Sequence, residues 1–263
     1  MAARRSTVRS YWLVWLYVGL ILVFLYIPLV PPIRFSVAPG QSTGGSVTFA
    51  WYGEMWRNPL LTAAVVTTVE VGVAVALVST VLGLAAAMAI RELRLPRLIL
   101  LLMLLPLFIP GVSMGLATAF FFRQLAIQPS LVTIAIVQSL WALPFATLVV
   151  LTAMSTFDPV YVEAAYMTGA NRLRAFIDIE LPLIWPGISA AATFSLILSF
   201  NETVRTAIVQ GPYNTVQTYI WSTFKQIGLS PALYALMSLL IALTLLLVAI
   251  SLVVGRRQAK SEV

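Results

Sequence analysis

The amino-acid sequence predicts an all-α integral membrane bundle of six transmembrane helices, organised as one domain over residues 1–263. Three observations carry this expectation. Sixty per cent of the residues are apolar and 10% are charged, whereas a soluble domain has roughly a quarter charged. The apolar residues gather into runs of about 20 or more, the length a helix needs to cross a hydrocarbon core of about 30 Å. The chain holds no histidine and no cysteine, which removes disulfide frameworks, thiolate metal sites and the commonest general base.

The first run, Tyr11 to Ile33, follows Arg4, Arg5 and Arg9. Its apolar stretch is too long for a signal-peptide core, so it is read as a retained helix. The second, Leu60 to Ile90, exceeds what a bilayer requires and is expected to tilt or to project beyond the lipid. The third, Leu98 to Phe122, contains Pro106 and Pro110. Each removes a backbone hydrogen bond and can kink a span; bending during gating and ordinary packing around proline both account for them. The fourth, fifth and sixth runs are Leu131 to Ala153, Leu183 to Phe200 and Ala232 to Val254.

Charge orients these spans. With both termini on the cytoplasmic side, eleven of the sixteen lysines and arginines fall on the inner face, as the positive-inside rule requires. The basic excess of +7 is thereby explained without nucleic acid. Residues 34–59 and 205–231 then face outward. Tyr11, Trp12, Trp15 and Tyr17 near the inner face, and Trp51, Tyr52 and Trp56 near the outer one, read as an interfacial belt.

The inner stretch between the fourth and fifth spans has local punctuation of its own. Asp158-Pro159 starts a helix, since Asp caps free amides and Pro is tolerated at the first helical position. Glu163, Ala164 and Ala165 continue it, and Gly169 stops it by accepting a left-handed conformation. Asn171 caps a second short helix through Arg172, Arg174, Phe176 and Ile179, and Leu181-Pro182 leads into the fifth span. From geometry alone this unit also fits a structural elbow.

The spacing adds more: Glu163-Ala164-Ala165, three residues, Gly169, nine residues, Ile179, one residue, Leu181-Pro182. This resembles, position by position, the EAA loop of permease subunits of binding-protein-dependent, type I ABC importers. Leu105-Pro106-Leu107-Phe108-Ile109-Pro110-Gly111, and Phe200-Asn201-Glu202 followed by Gly211-Pro212, are similar to the spermidine/putrescine branch. The resemblance implies a MetI-like permease fold in the bacterial cytoplasmic (inner) membrane. The loop 158–182 would be the coupling helix seated on a separate ATP-binding subunit, with Glu163, Ala164, Ala165 and Gly169 shaping that joint and Ile179, Leu181 and Pro182 anchoring it. It further implies a second, non-identical permease, two ATP-binding subunits carrying ATP and Mg2+, an extracytoplasmic solute-binding protein, and no cofactor on this chain. The chain's glycine-rich stretch, Gly40 to Gly45, has no Lys and no strand-to-helix setting for a phosphate loop, so the chain is not expected to be an enzyme.

Ionisable groups inside spans are costly and mark cavities or partners. Glu70 lies near the middle of the second run, and two readings stand: a hydrogen-bonded carboxyl joining helices, or a substrate-path acid. Asn201 and Glu202 close the fifth run at the outer mouth, with Arg205 three residues on. A local ion pair and a site receiving a cation both fit. Gln138 reads as an interhelical hydrogen-bonding group. The family branch implies a polyamine cargo, although Asn201 stands where that resemblance leads one to expect a second acid. Another small solute, an amino-acid derivative or an anion, is the alternative within the importer class. A secondary transporter would need ion-coupling residues, for which Glu70 is the one intramembrane candidate, and a membrane scaffold would not need Gly169 at its fixed distance from Glu163.

Overall fold

A computed structural model describes residues 3–39, 47–93 and 96–261. The stretch Gly40 to Gly45 and the topology marker Arg94 lie outside these residues. Among the described residues every regular element is helical. The helices are α1 (Ala3–Tyr26), α2 (Val30–Ser36), α3 (Ala50–Trp56), α4 (Pro59–Glu92), α5 (Pro96–Leu104), α6 (Gly111–Gln124) and α7 (Leu131–Ser155). After these come α8 (Val160–Met167), α9 (Arg172–Ala175), α10 (Leu181–Phe200), α11 (Val204–Val209), α12 (Val216–Ile227) and α13 (Pro231–Ser261). Among the described residues five stretches are long and apolar enough to cross a membrane, and the count reaches six when the bent pair Pro96–Phe108 and Gly111–Gln124 is taken as one span.

The chain divides into two compact units. One comprises residues 1–58 and 227–243. In it α1 and α2 form a continuous apolar span, Trp12–Ser36, through a 3-10 turn at Ile27–Leu29. Pro28, Pro31 and Pro32 are tolerated because they fall in the first turns of new helical segments, where an N–H would have no partner. Two of the aromatics expected in the outer belt, Trp51 and Tyr52, make hydrogen bonds within this unit. The Tyr52 hydroxyl donates to Ser36 Oγ at 2.8 Å and lies 2.7 Å from Ser238 Oγ. Trp51 Nε1 donates to the Ala38 carbonyl at 2.9 Å.

The other unit comprises residues 59–226 and 244–263, with α4, α7 and α10 packed pairwise at its centre. Small residues permit the close approach. A Cβ on Gly187 would lie 2.2 Å from Ala153 Cβ, and one on Gly83 would lie 3.0 Å from the Thr147 backbone. Two apolar clusters fill the layers between helices. Val71, Val75, Phe122, Ile134, Val137, Ala142 and Val209 form one, and Ala87, Ala146, Val150, Met154, Ile184, Ile188 and Ala191 the other. The α4 helix runs 34 residues, about 51 Å at 1.5 Å per residue, and outlasts the hydrocarbon as expected.

The third span departs from the sequence expectation of one kinked helix over 98–122. It breaks at residues 109–110, and the two halves meet at 101°. Pro106 falls within a 3-10 turn, Leu105–Phe108. Ile109 is extended at φ −85, ψ 124, the region that the following Pro110 enforces on its predecessor. Pro110 is itself extended at ψ 136 and stands as the N-cap of α6. The fifth span also starts earlier than expected, since one helical stretch runs from Arg172 to Phe200 through a π-helical turn at Phe176–Glu180. Pro182 has no N–H for the Asp178 carbonyl, which favours a widened turn there.

Candidate functional site

The loop 158–182 has the predicted parts. The Asp158 carboxylate accepts the Val160 N–H at 3.0 Å, while Pro159 holds the N-cap position, so the helix begins one residue later than expected. Helix α8 ends at Met167 with Thr168 as its C-cap, and Gly169 turns the chain at φ +85, a conformation costly for residues with a Cβ. No atom lies within 4 Å of where a Gly169 Cβ would stand, so backbone conformation and not crowding selects glycine here. Asn171 Oδ1 accepts the Arg174 N–H at 2.9 Å and opens α9.

This turn sets the motif residues on different surfaces. Glu163, Ala164 and Gly169 are exposed, Ala165 is buried, and Ile179 is half-buried. Leu181 packs against the cluster holding Ala87 and Ile184, whereas the Pro182 ring is exposed. Met167 at the C-terminal end of α8 is 87% exposed. The loop therefore offers a small-residue and acidic surface on one side and an apolar root on the other. Between it and the C-terminal ends of α4 and α7 lies a cavity of about 580 Å³, lined by Glu163, Tyr166 and Phe176 from the loop and by Met88, Arg91 and Met154 from the bundle.

Sequence reasoning missed the ionic ties around this cavity. Arg91 pairs with Glu180, and Glu92 pairs with Arg172. In sequence Arg91 is simply one of the eleven basic residues assigned to the inner face. Its partner lies 89 residues away, beyond any local signal.

At the opposite end, Glu202 and Arg205 are both buried. Glu202 Oε2 accepts from the Arg205 guanidinium at 2.6 Å, and Glu202 Oε1 accepts the Arg205 backbone N–H at 2.8 Å. The same carboxylate thus caps α11 and neutralises its arginine. The Arg205 guanidinium carbon lies 4.1 Å from the Trp141 ring centroid. Gly111 leaves room for that guanidinium, since a Cβ there would sit 3.2 Å from it. Asn201 is exposed and donates to the Ile197 carbonyl at 2.8 Å. Gln138 is fully enclosed and bridges helices: its Nε2 donates to Thr206 Oγ1 at 2.8 Å, and its Oε1 accepts from Ser199 at 2.5 Å.

Glu70 is not joined to this network. It lies on the exposed side of α4 with Val66, Val69, Val73 and Leu77, opposite the buried Thr67, Thr68, Val71 and Val75. It forms no ion pair among the described residues.

Residues 79–260 match the family described as "Binding-protein-dependent transport system inner membrane component". The chain is 27% identical over 247 residues to the spermidine/putrescine transport system permease protein PotC of Escherichia coli (strain K12), covering 92% of this chain and 93% of that protein. It is 26% identical over 246 residues to the putrescine transport system permease protein PotI of the same strain, covering 89% and 87%. Its fold resembles a chain of a bacterial ABC transporter involved in the import of the acidic polysaccharide alginate, with a TM-score of 0.70, 14% identity and 98% of each chain covered. Matching over more than half its length, with the helical loop and apolar spans in the corresponding fold, the chain belongs to the inner-membrane components of binding-protein-dependent transport systems, the permeases of ABC importers.

Proposed function

We propose that this chain forms half of the translocation pathway of an ATP-driven importer for polyamines, of the spermidine and putrescine class. The observation that carries the coupling role is the exposed α8 surface of Glu163 and Ala164, fixed by the left-handed Gly169 turn and rooted by Ala165, Ile179 and Leu181. A helix presented on a rigid elbow suits seating in another chain's groove. ATP and Mg2+ belong to two separate ATP-binding subunits, and an extracytoplasmic binding protein delivers cargo to residues 34–59 and 205–231. Both termini are cytoplasmic in this reading, and lipid surrounds the outer faces of the spans.

Glu70 carries the cation path. A carboxylate on an otherwise apolar, exposed helix face is costly against hydrocarbon, so this face of α4 meets a second, non-identical permease across a watered path. Attraction between a carboxylate and an ammonium grows several-fold as the local dielectric falls from that of bulk water. Asn201 and Glu202 border the outer mouth. The buried Glu202–Arg205 pair supports the structural one of the two roles that the sequence left open for Glu202. The Pro106–Pro110 break supplies a bend at which the third span can hinge.

The test is co-expression with the candidate partner subunits, purification, and ATP-dependent uptake of labelled spermidine and putrescine into proteoliposomes. Uptake that requires ATP, and that falls at least tenfold in Glu70→Gln, supports the reading. ATP-independent uptake removes the importer assignment, and ATP-driven uptake of a different solute alone removes the polyamine.

A further inference from the structure

The charges at the inner end of α4 have no part in the reading above, yet they form an ordered chain. Glu180, on the π-helical turn before α10, is 4% exposed and receives both terminal guanidinium nitrogens of Arg91. Arg91 Nη2 also lies 3.4 Å from Glu92 Oε1. The other Glu92 oxygen pairs with Arg172, the first residue of α9. Acid and base alternate in the order Glu180, Arg91, Glu92, Arg172, and the chain ties both ends of the segment 172–180 to a single turn of α4.

Apolar packing joins the loop's root to α4, where Leu181 meets the cluster holding Ala87 and Ile184, and the ion pairs tie down the segment before that root. Helix α8 rests mainly on α9 and the π-helical turn, and the 580 Å³ cavity separates the loop from the inner ends of α4 and α7. A loop backed by a void passes on a displacement through its few stiff attachments. A two-pronged arginine–carboxylate contact is such an attachment, because two charge-assisted hydrogen bonds fix orientation as well as distance. Single π-helical turns also recur at functional sites, and here one carries the buried acid. Further along α4 is Glu70, on the bare face of the same continuous helix.

We infer that the chain Glu180–Arg91–Glu92–Arg172 is the strut through which movement of the loop reaches α4 and its Glu70 face. These are positioning residues that act through α8 and α4 and touch neither nucleotide nor cargo. The inference rests on 158–182 being the coupling loop.

The test needs no knowledge of the cargo. The chain has no cysteine, so single cysteines at Met167 on α8 and Leu77 on the bare face of α4 report maleimide labelling rates in the assembled complex, with and without ATP plus vanadate. In the otherwise native complex nucleotide should change both rates by roughly fivefold, the ratio that about 1 kcal/mol corresponds to. Glu180→Gln and Glu92→Gln should each keep the Met167 response and lose the Leu77 response. Reversing all four charges together, Glu180→Arg, Arg91→Glu, Glu92→Arg and Arg172→Glu, is the exchange that keeps the alternation, and it should restore the Leu77 response. A Leu77 response that survives both glutamine substitutions overturns the strut, as does failure of the exchange to restore it in an assembled complex. If Glu180→Gln does not assemble, Glu92→Gln decides alone, because its partner Arg172 is 73% exposed and the bundle does not depend on it. A silent Leu77 beside a responding Met167 in the native complex sinks the strut only. A silent Met167 sinks the coupling-loop reading and the strut with it.

Discussion

The Glu202–Arg205 end of the bundle, proposed above as the outer mouth, and the loop 158–182 use the same kinds of residue for opposite purposes. Near the mouth, Glu202, Arg205, Gln138, Ser199 and Thr206 are buried. Glu202 holds Arg205 against Trp141, and Gln138 joins Ser199 to Thr206. At the loop, Glu163 and Arg172 are exposed, and a cavity backs the helices that carry the motif. Buried polar groups that bond to one another fix one packing arrangement, whereas exposed charge over a void leaves a surface free to engage another chain. The lesson is that the mouth should respond to mutation through stability and the loop through coupling.

The largest effect tests the mouth. Arg205→Ala strands Glu202 without a counterion, and breaking one side of a buried pair costs about 3–5 kcal/mol. The detergent-solubilised complex should lose its cooperative thermal transition or run as aggregate in gel filtration. Replacing the pair together, Glu202→Gln with Arg205→Met, should recover most of that stability. If instead Arg205→Ala assembles normally and only uptake changes, the pair is part of the cargo path.

A smaller loss is expected at the bridge between helices. Gln138→Leu leaves Ser199 and Thr206 without their shared partner, a deficit of about 1–2 kcal/mol for interhelical hydrogen bonds in a membrane. A lowered melting temperature with uptake retained at the permissive temperature fits the structural role. At the loop, Gly169→Val forces a β-branched residue to φ +85, at a local cost of about 1–2 kcal/mol. Because nothing crowds that position, the bundle should melt as before while ATP hydrolysed per solute imported rises. Normal coupling in Gly169→Val would place the loop with the mouth as mere structure.

How much of this was legible in sequence follows the range of the interactions. Asp158, Gly169 and Asn171 act on neighbours within a few residues, so their caps and turn could be read directly. The Glu202–Arg205 pair was also visible, at a spacing of three. The tie between Arg91 and Glu180, the Trp141 ring under Arg205 and the closing of Gly187 onto Ala153 depend on helices meeting in space, and no local pattern marks them. The break in the third span lies between these cases. Pro110 biases Ile109 to extended backbone, but composition reads the run 98–122 as continuous because neither half carries a charge.

The smallest expected stability change is at the loop's exposed tie. Glu92→Gln removes a solvent-accessible pair with Arg172, worth about 0–1 kcal/mol. Its melting curve should overlay that of the unmodified complex. A drop comparable to that of Arg205→Ala would erase the distinction between the two regions.

The central claim is that α8 is the surface on which a separate ATP-binding chain acts. Photo-cross-linking from a single cysteine at Met167, 87% exposed, tests it most directly, with Trp221 on α12, 48% exposed, as the comparison position. In the purified complex the Met167 probe should join this chain to the ATP-binding subunit and the Trp221 probe should not. A Met167 probe that never reaches an ATP-binding chain in a complex that contains one, or a Trp221 probe that does, contradicts the account.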